Sequence, residues 1–109
     1  MPVALEVQYQ LGDLKFSWDT EKYRRNVQKH GITFEEAATT WLDRNAIEEF
    51  DQGHSTREDR WFRMGLSLRG ALLVTWSAVL VRKDEAMIRI IGARRVTRAE
   101  QLLYEESAS

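Results

Sequence analysis

The sequence predicts an α+β fold: a small antiparallel β-sheet with a helical hairpin packed on one face and a short C-terminal helix. Three observations predict it. Two capped helical segments follow one another with only "HGIT" between them, a spacing that suits antiparallel helices. From Ala46 the apolar period changes from that of a helix to that of a strand. The strand-like runs that follow are joined by short polar turns, which favours antiparallel pairing.

The elements can be justified in order. "LKFSW" (Leu14–Trp18) alternates weakly and predicts a short strand. "DTEKYRRNVQKHG" predicts a helix: Asp19 is placed to cap it, acids fill its first turn, and Lys29 and His30 sit near its end. Gly31 supplies the left-handed stop. "TFEEAATTWL" predicts a second helix, opened by a capping box of Thr33 and Glu36. Its apolar stripe is Phe34, Ala37, Ala38, Trp41 and Leu42. "AIEEFD" then predicts a strand and "QGHSTRED" a loop. "RWFRMGL" alternates, with Phe62, Met64 and Leu66 on one side. "ALLVTWSAVLV" and "MIRIIGA" predict the two last strands, with the turn "RKDEA" between them. "TRAE" (Thr97–Glu100) is a second capping box and opens the final helix. The predicted order is β-α-α-β-β-β-β-α.

The 109 residues are expected to form a single domain, 1–109. No apolar run is long enough to span a membrane, and the start has no signal-peptide pattern, so the expected location is cytoplasmic. The absence of cysteine excludes disulfides and thiolate metal sites. No cofactor is expected. The formal net charge is −1, but charge is unevenly spread. Nine basic residues lie between Arg60 and Arg98 against two acids, Asp84 and Glu85, while the segments on either side are acidic. Such a basic middle suggests a local anion-binding surface. Strand parity selects two residues within it. Arg60 is in phase with Phe62 and Met64, and Arg94 is in phase with Ile88 and Ile90 if no bulge intervenes. Each then lies at a strand end on an apolar side, half-desolvated and reachable, where a cation holds phosphate well. Alternation assigns Arg63 and Arg89 to the other faces of their strands.

Several short motifs in fixed order carry a family resemblance: "FSWD", "KHG", "TFEEAA", "HSTREDR", and "RIIGARRV" followed by Glu100 and Tyr104. The chain resembles the BrnT-type ribonuclease toxins of bacterial type II toxin–antitoxin pairs from about Phe16 to Tyr104, leaving residues 1–13 as an N-terminal extension outside the match. It departs from the family pattern at Gly92 and Val96, where the family carries serine and alanine. The resemblance implies a RelE-like fold, RNA cleavage and arrest of translation. It also implies neutralisation in a hetero-oligomer with a BrnA-type antitoxin, and contact with operator DNA only through that antitoxin.

A metal-independent ribonuclease needs a base for the ribose 2′-OH, an acid for the leaving 5′-oxygen, and cations for the phosphate. The candidate catalytic residues are His54, Glu58, Arg60 and Arg94. His54 can act as acid or base near neutral pH, and Glu58 can orient it or act as base. Lys29, His30, Trp61 and Arg95 are candidate RNA contacts. Structural roles compete with these: His30 also fits a helix C-terminus, and Arg94 also fits an ion pair with Glu100 or Glu58. Asp51 and His54 alone are too few ligands for a metal, so none is expected. The alternative function is a catalytically weak or inactive module that acts only through its complex with the antitoxin.

Overall fold

A computed structural model describes residues 5–53 and 59–108. The elements are β1 (Glu6–Leu11), β2 (Leu14–Asp19), α1 (Thr20–His30), α2 (Phe34–Ala38), β3 (Ile47–Phe50), β4 (Arg60–Leu66), β5 (Leu72–Arg82), β6 (Glu85–Arg95) and α3 (Arg98–Ala108). The six strands form one sheet in the order β1-β2-β6-β5-β4-β3. The architecture is α+β, as the periodicity predicts.

The helix boundaries follow the capping residues. The Asp19 carboxylate accepts from the Lys22 N–H at 2.9 Å and opens α1. Gly31 ends it at φ 69° and donates its N–H to the Val27 carbonyl, a conformation glycine adopts without a Cβ penalty. Thr33 caps α2 by accepting from the Glu36 N–H at 3.1 Å, but Glu36 does not close the box. Its carboxylate instead accepts from the Ser67 hydroxyl at 2.7 Å, which ties α2 to the β4–β5 turn. The second helix is also shorter than its apolar stripe predicts. After Ala38 the chain tightens into a 3-10 turn, Thr39–Leu42. There the Thr39 and Thr40 hydroxyls donate back to the Glu36 and Ala37 carbonyls, as threonines do where a helix bends. The Thr97–Glu100 box of α3 is complete: each residue's backbone N–H donates to the other's side chain.

Three features of the sheet differ from the sequence expectation. β1, within the segment read as an extension, pairs antiparallel with β2 over its whole length. Val7, Tyr9 and Leu11 pack against the core, with Tyr9 against Trp18 at a centroid distance of 5.5 Å. Second, β2 joins β6 in parallel, Phe16 beside Ile88, so the sheet is mostly but not wholly antiparallel. The crossover through α1 and α2 and the later strands makes this possible. Third, β6 carries a bulge. Trp76 of β5 faces Gly92 while Ser77 faces Ile90, so one extra residue is inserted between Ile90 and Gly92.

The core fills one face of the sheet. Phe16, Trp18, Leu73, Ile90 and Ala93 meet Ile32, Phe34, Ala37 and Ala38, all fully buried or nearly so. Tyr23 and Phe34 link α1 to α2 edge to face at 5.4 Å. Asn26 of α1 locks the bulged strand in place: its side-chain carbonyl accepts from the Ala93 N–H at 3.0 Å and its amide donates to the Ile32 carbonyl. The other sheet face carries neither α1 nor α2.

Candidate functional site

Register places the candidate cations on that second face. Arg60 lies opposite Ala78, Phe62 opposite Trp76 and Met64 opposite Val74. Val74 is in turn opposite Arg94, and Ala78 opposite Arg89. Cross-strand partners share a face, so Arg60, Arg89 and Arg94 all point away from α1 and α2. The bulge corrects the sequence parity. Arg94 is not in phase with Ile88 and Ile90, because the extra residue reverses alternation between Ile90 and Ala93, both of which face the core. Arg94 nonetheless shares a face with Arg60.

Arg94 is heavily engaged there. Its Nη1 and Nη2 donate to the two Glu100 carboxylate oxygens at 2.8 and 3.0 Å, and Nη1 also donates to the Arg95 carbonyl at 3.1 Å. Its guanidinium carbon lies 5.2 Å from the Trp76 ring centroid. The hydrogen bond from Arg94 is the main cause that pushes the Glu100 carboxyl down to about 2, against the upward pull of burial and with help from the Thr97 N–H. The guanidinium pKa is raised in return, first by the Glu100 bond. Of the two structural roles the sequence allows for Arg94, the pair with Glu100 is therefore formed.

α3 overhangs one end of this face. Between them runs a groove of about 520 Å³, with Ile47, Phe62, Met64, Val74, Trp76 and Leu103 among its walls. Phe62 and Trp76 meet edge to face at 5.4 Å. Leu103 is 58 % exposed and Leu102 44 %, so the helix leaves apolar surface uncovered. The polar ties of α3 include Arg94 with Glu100 and the Tyr104 hydroxyl, which donates to Asp43 at 2.6 Å. Burial first, and then that bond, raise the Tyr104 hydroxyl to about 12. Burial pulls the Asp43 carboxyl up, but hydrogen bonds from the Leu66 N–H, Tyr104 and the Asn45 N–H outweigh it and lower the pKa overall. Asp43 carries no motif signal in the sequence.

The remaining candidates are elsewhere. Trp61 points to the helix-bearing side, where it meets Phe50 edge to face at 5.3 Å. Arg63 shares that side and is structural: it lies 4.8 Å from the Trp41 ring and pairs with Glu48 at 2.8 Å. Lys29 and His30 close α1. Arg95 is exposed at the strand end, opposite the buried Leu73. His54 and Glu58 lie outside the described residues; in the sequence they precede Arg60 by six and two residues. Among the described residues no cluster of three or more His, Asp or Glu side chains is arranged to hold a metal, and no helix is long and apolar enough to cross a membrane.

A family model described as the ribonuclease toxin BrnT of type II toxin–antitoxin systems matches residues 18–100. No curated protein matches the chain.

Proposed function

The chain belongs to the BrnT family of ribonuclease toxins of type II toxin–antitoxin systems, and from that premise we propose that it cuts RNA on the face of the sheet away from α1 and α2, arresting translation. The observation that carries the reading is the shared face of Arg60 and Arg94; His54 and Glu58 precede Arg60 by six and two residues in the sequence. His54 and Glu58 exchange the protons of the 2′-OH and the leaving 5′-oxygen, without a metal ion. Arg60 neutralises the charge that builds on the phosphate. Arg94 adds to it by trading Glu100 for an RNA oxygen. Arg95, at the rim, meets a flanking phosphate. Lys29, His30 and Trp61, on the helix-bearing side, meet RNA beyond the cleaved bond.

A type II toxin has an antitoxin partner. We assign that partner to the BrnA type, whose own DNA-binding domain makes the contact with operator DNA. The apolar groove beneath α3, rimmed by Arg94, suits an antitoxin segment that carries apolar and acidic side chains. Such a segment would bury the cations that RNA needs, so the two ligands exclude each other.

Induction of the chain alone should stop growth, and His54→Ala or Arg60→Ala should relieve the arrest while the proteins remain folded. Saturating antitoxin should abolish RNA binding. The bidentate lock of Glu100 on Arg94 favours a second reading, in which this member binds its antitoxin but does not cut RNA. Absence of growth arrest and of RNA cleavage, with intact antitoxin binding, would establish that reading instead.

A further inference from the structure

One row of the sheet places a second arginine beside Arg60. Reading across five strands on the face away from α1 and α2, the row is Gln8, Ser17, Arg89, Ala78 and Arg60. The two arginines flank Ala78, two strand spacings apart, or roughly 10 Å between Cα atoms. Both are half-buried, and Ser17 and Ala78 beside and between them are fully buried, covered by their longer neighbours. Beyond Arg60 the chain that leaves β3 brings the buried Asp51 alongside, its N–H donating to the Arg60 carbonyl at 2.8 Å. Among the described residues Arg89 makes no ion pair or side-chain hydrogen bond, in contrast to Arg94, whose guanidinium is clasped by Glu100.

The bulge in β6 is what creates this arrangement. Arg89 and Arg94 are five residues apart, so regular alternation would send them to opposite faces. The residue inserted between Ile90 and Gly92 brings both to the same face, and bulges commonly re-aim side chains in this way beside functional sites. Arg94 is four β5 positions from the Arg60 row, since it faces Val74 rather than Ala78. That is about 13 Å along the strand, whereas Arg89 is in the row itself.

We infer that Arg60 and Arg89 together form the primary clamp for the RNA phosphodiester, astride Ala78, and that Arg94 joins them only once Glu100 releases it. Two guanidinium forks from one row, on strands either side of β5, offer paired N–H donors to one phosphate from both sides. The half-buried setting strengthens each contact over that of a surface arginine. Arg94 then serves mainly to fasten α3. The inference rests on RNA being the ligand of this face.

The test uses a 2′-O-methyl RNA oligonucleotide, which binds but cannot be cut, followed by fluorescence anisotropy across a salt series. Loss of one bidentate phosphate contact should weaken binding about tenfold or more for Arg89→Ala. It should also reduce the slope of log K against log salt by about 0.7, the value for one phosphate of a single strand. Arg25→Ala, on the exposed side of α1, should change neither. Arg89→Gln keeps most of the side-chain stem and supplies the same readout should Arg89→Ala fail to fold. Wild-type binding with an unchanged slope and affinity in a folded Arg89 variant would overturn the clamp while leaving RNA cleavage standing. A wild-type protein that neither binds nor cuts RNA would overturn the functional reading beneath it.

Discussion

Replacing Glu100 with glutamine should cost the fold about 2 kcal/mol at neutral pH, and the cost should vanish in acid. The Glu100 carboxyl is held at about 2 against an ordinary 4.5, chiefly by its bond from Arg94. A shift of that size corresponds to about 3 kcal/mol of differential stability. The paired side chains are 29 % and 25 % exposed, and screening by solvent reduces the figure to about 2 kcal/mol. The folded-state pKa is depressed, so the contribution is fully present above the unfolded value and is lost as pH falls from about 4.5 towards 2. Glutamine, close in shape to the protonated acid, removes it at every pH. Urea unfolding at pH 7, 5, 4 and 3, followed by tryptophan fluorescence, measures the difference between the two proteins. With a urea slope of about 1.5 kcal/mol per molar, the Glu100→Gln midpoint should fall by about 1.3 M at pH 7. The gap should narrow steadily below pH 4.5. Equal midpoints at pH 7, or a gap that does not change with pH, would refute the assignment of this pair as the fastening of α3.

Three further outcomes can be checked. Gly65→Ala should destabilise by about 1–3 kcal/mol in thermal melts, because a Cβ there would meet the Thr40 and Ala46 Cβ atoms at 3.1 and 3.2 Å and the Thr40 carbonyl at 3.3 Å. Tyr104→Phe should cost about 1.5–3 kcal/mol, the worth of a hydrogen bond to a charged group, and should loosen α3 in hydrogen exchange by breaking its tie to Asp43. RNA cleavage should continue in chelator; complete loss, restored by one divalent ion, would instead implicate a metal near Asp51 and His54.

Much of the fold is legible because local chemistry decides it. The Asp19 cap, the Gly31 stop and the Thr97–Glu100 box each act within a few residues, so the pattern and the geometry agree. β1 has the alternation of a strand in Val7, Tyr9 and Leu11, and Tyr9 meets Phe16 and Trp18 just across the hairpin, so this strand is within reach of the local pattern. Arg89 illustrates the harder problem. Each strand's parity can be read from its own apolar residues, but whether two strands send their arginines to the same face depends on pairing register and on a bulge. The bulge at Ile90–Gly92 is held by Asn26 through the Ala93 N–H, a contact 67 residues apart in sequence that no local pattern records. The match to the family covers residues 18–100 and so takes in every arginine on this face, but leaves β1 outside.

The distribution of charge, rather than its total, decides what this molecule can bind. A formal net charge of −1 gives little long-range attraction for RNA. At physiological salt, exposed charges more than about 8 Å apart are largely screened from one another, so a phosphate near Arg60 and Arg89 feels little of the acids on distant surfaces. Glu21 is occupied by Arg24 and Arg25 on α1, and Glu48 by Arg63 on the helix-bearing side. On the arginine face itself, Glu49 stands opposite Phe62, and Glu100 is consumed by Arg94. Release of that one pair would raise the positive charge of the face without changing the composition of the chain. A ligand that replaced Glu100 at Arg94 would therefore do two things at once: gain a cation and unfasten the first turn of α3, opening the apolar groove beneath it. An acidic, apolar antitoxin segment could use both changes; an RNA phosphate could use only the first. On the proposed reading, the same salt bridge would in this way discriminate between antitoxin and RNA, favouring the protein that holds the site shut over the nucleic acid that passes through it.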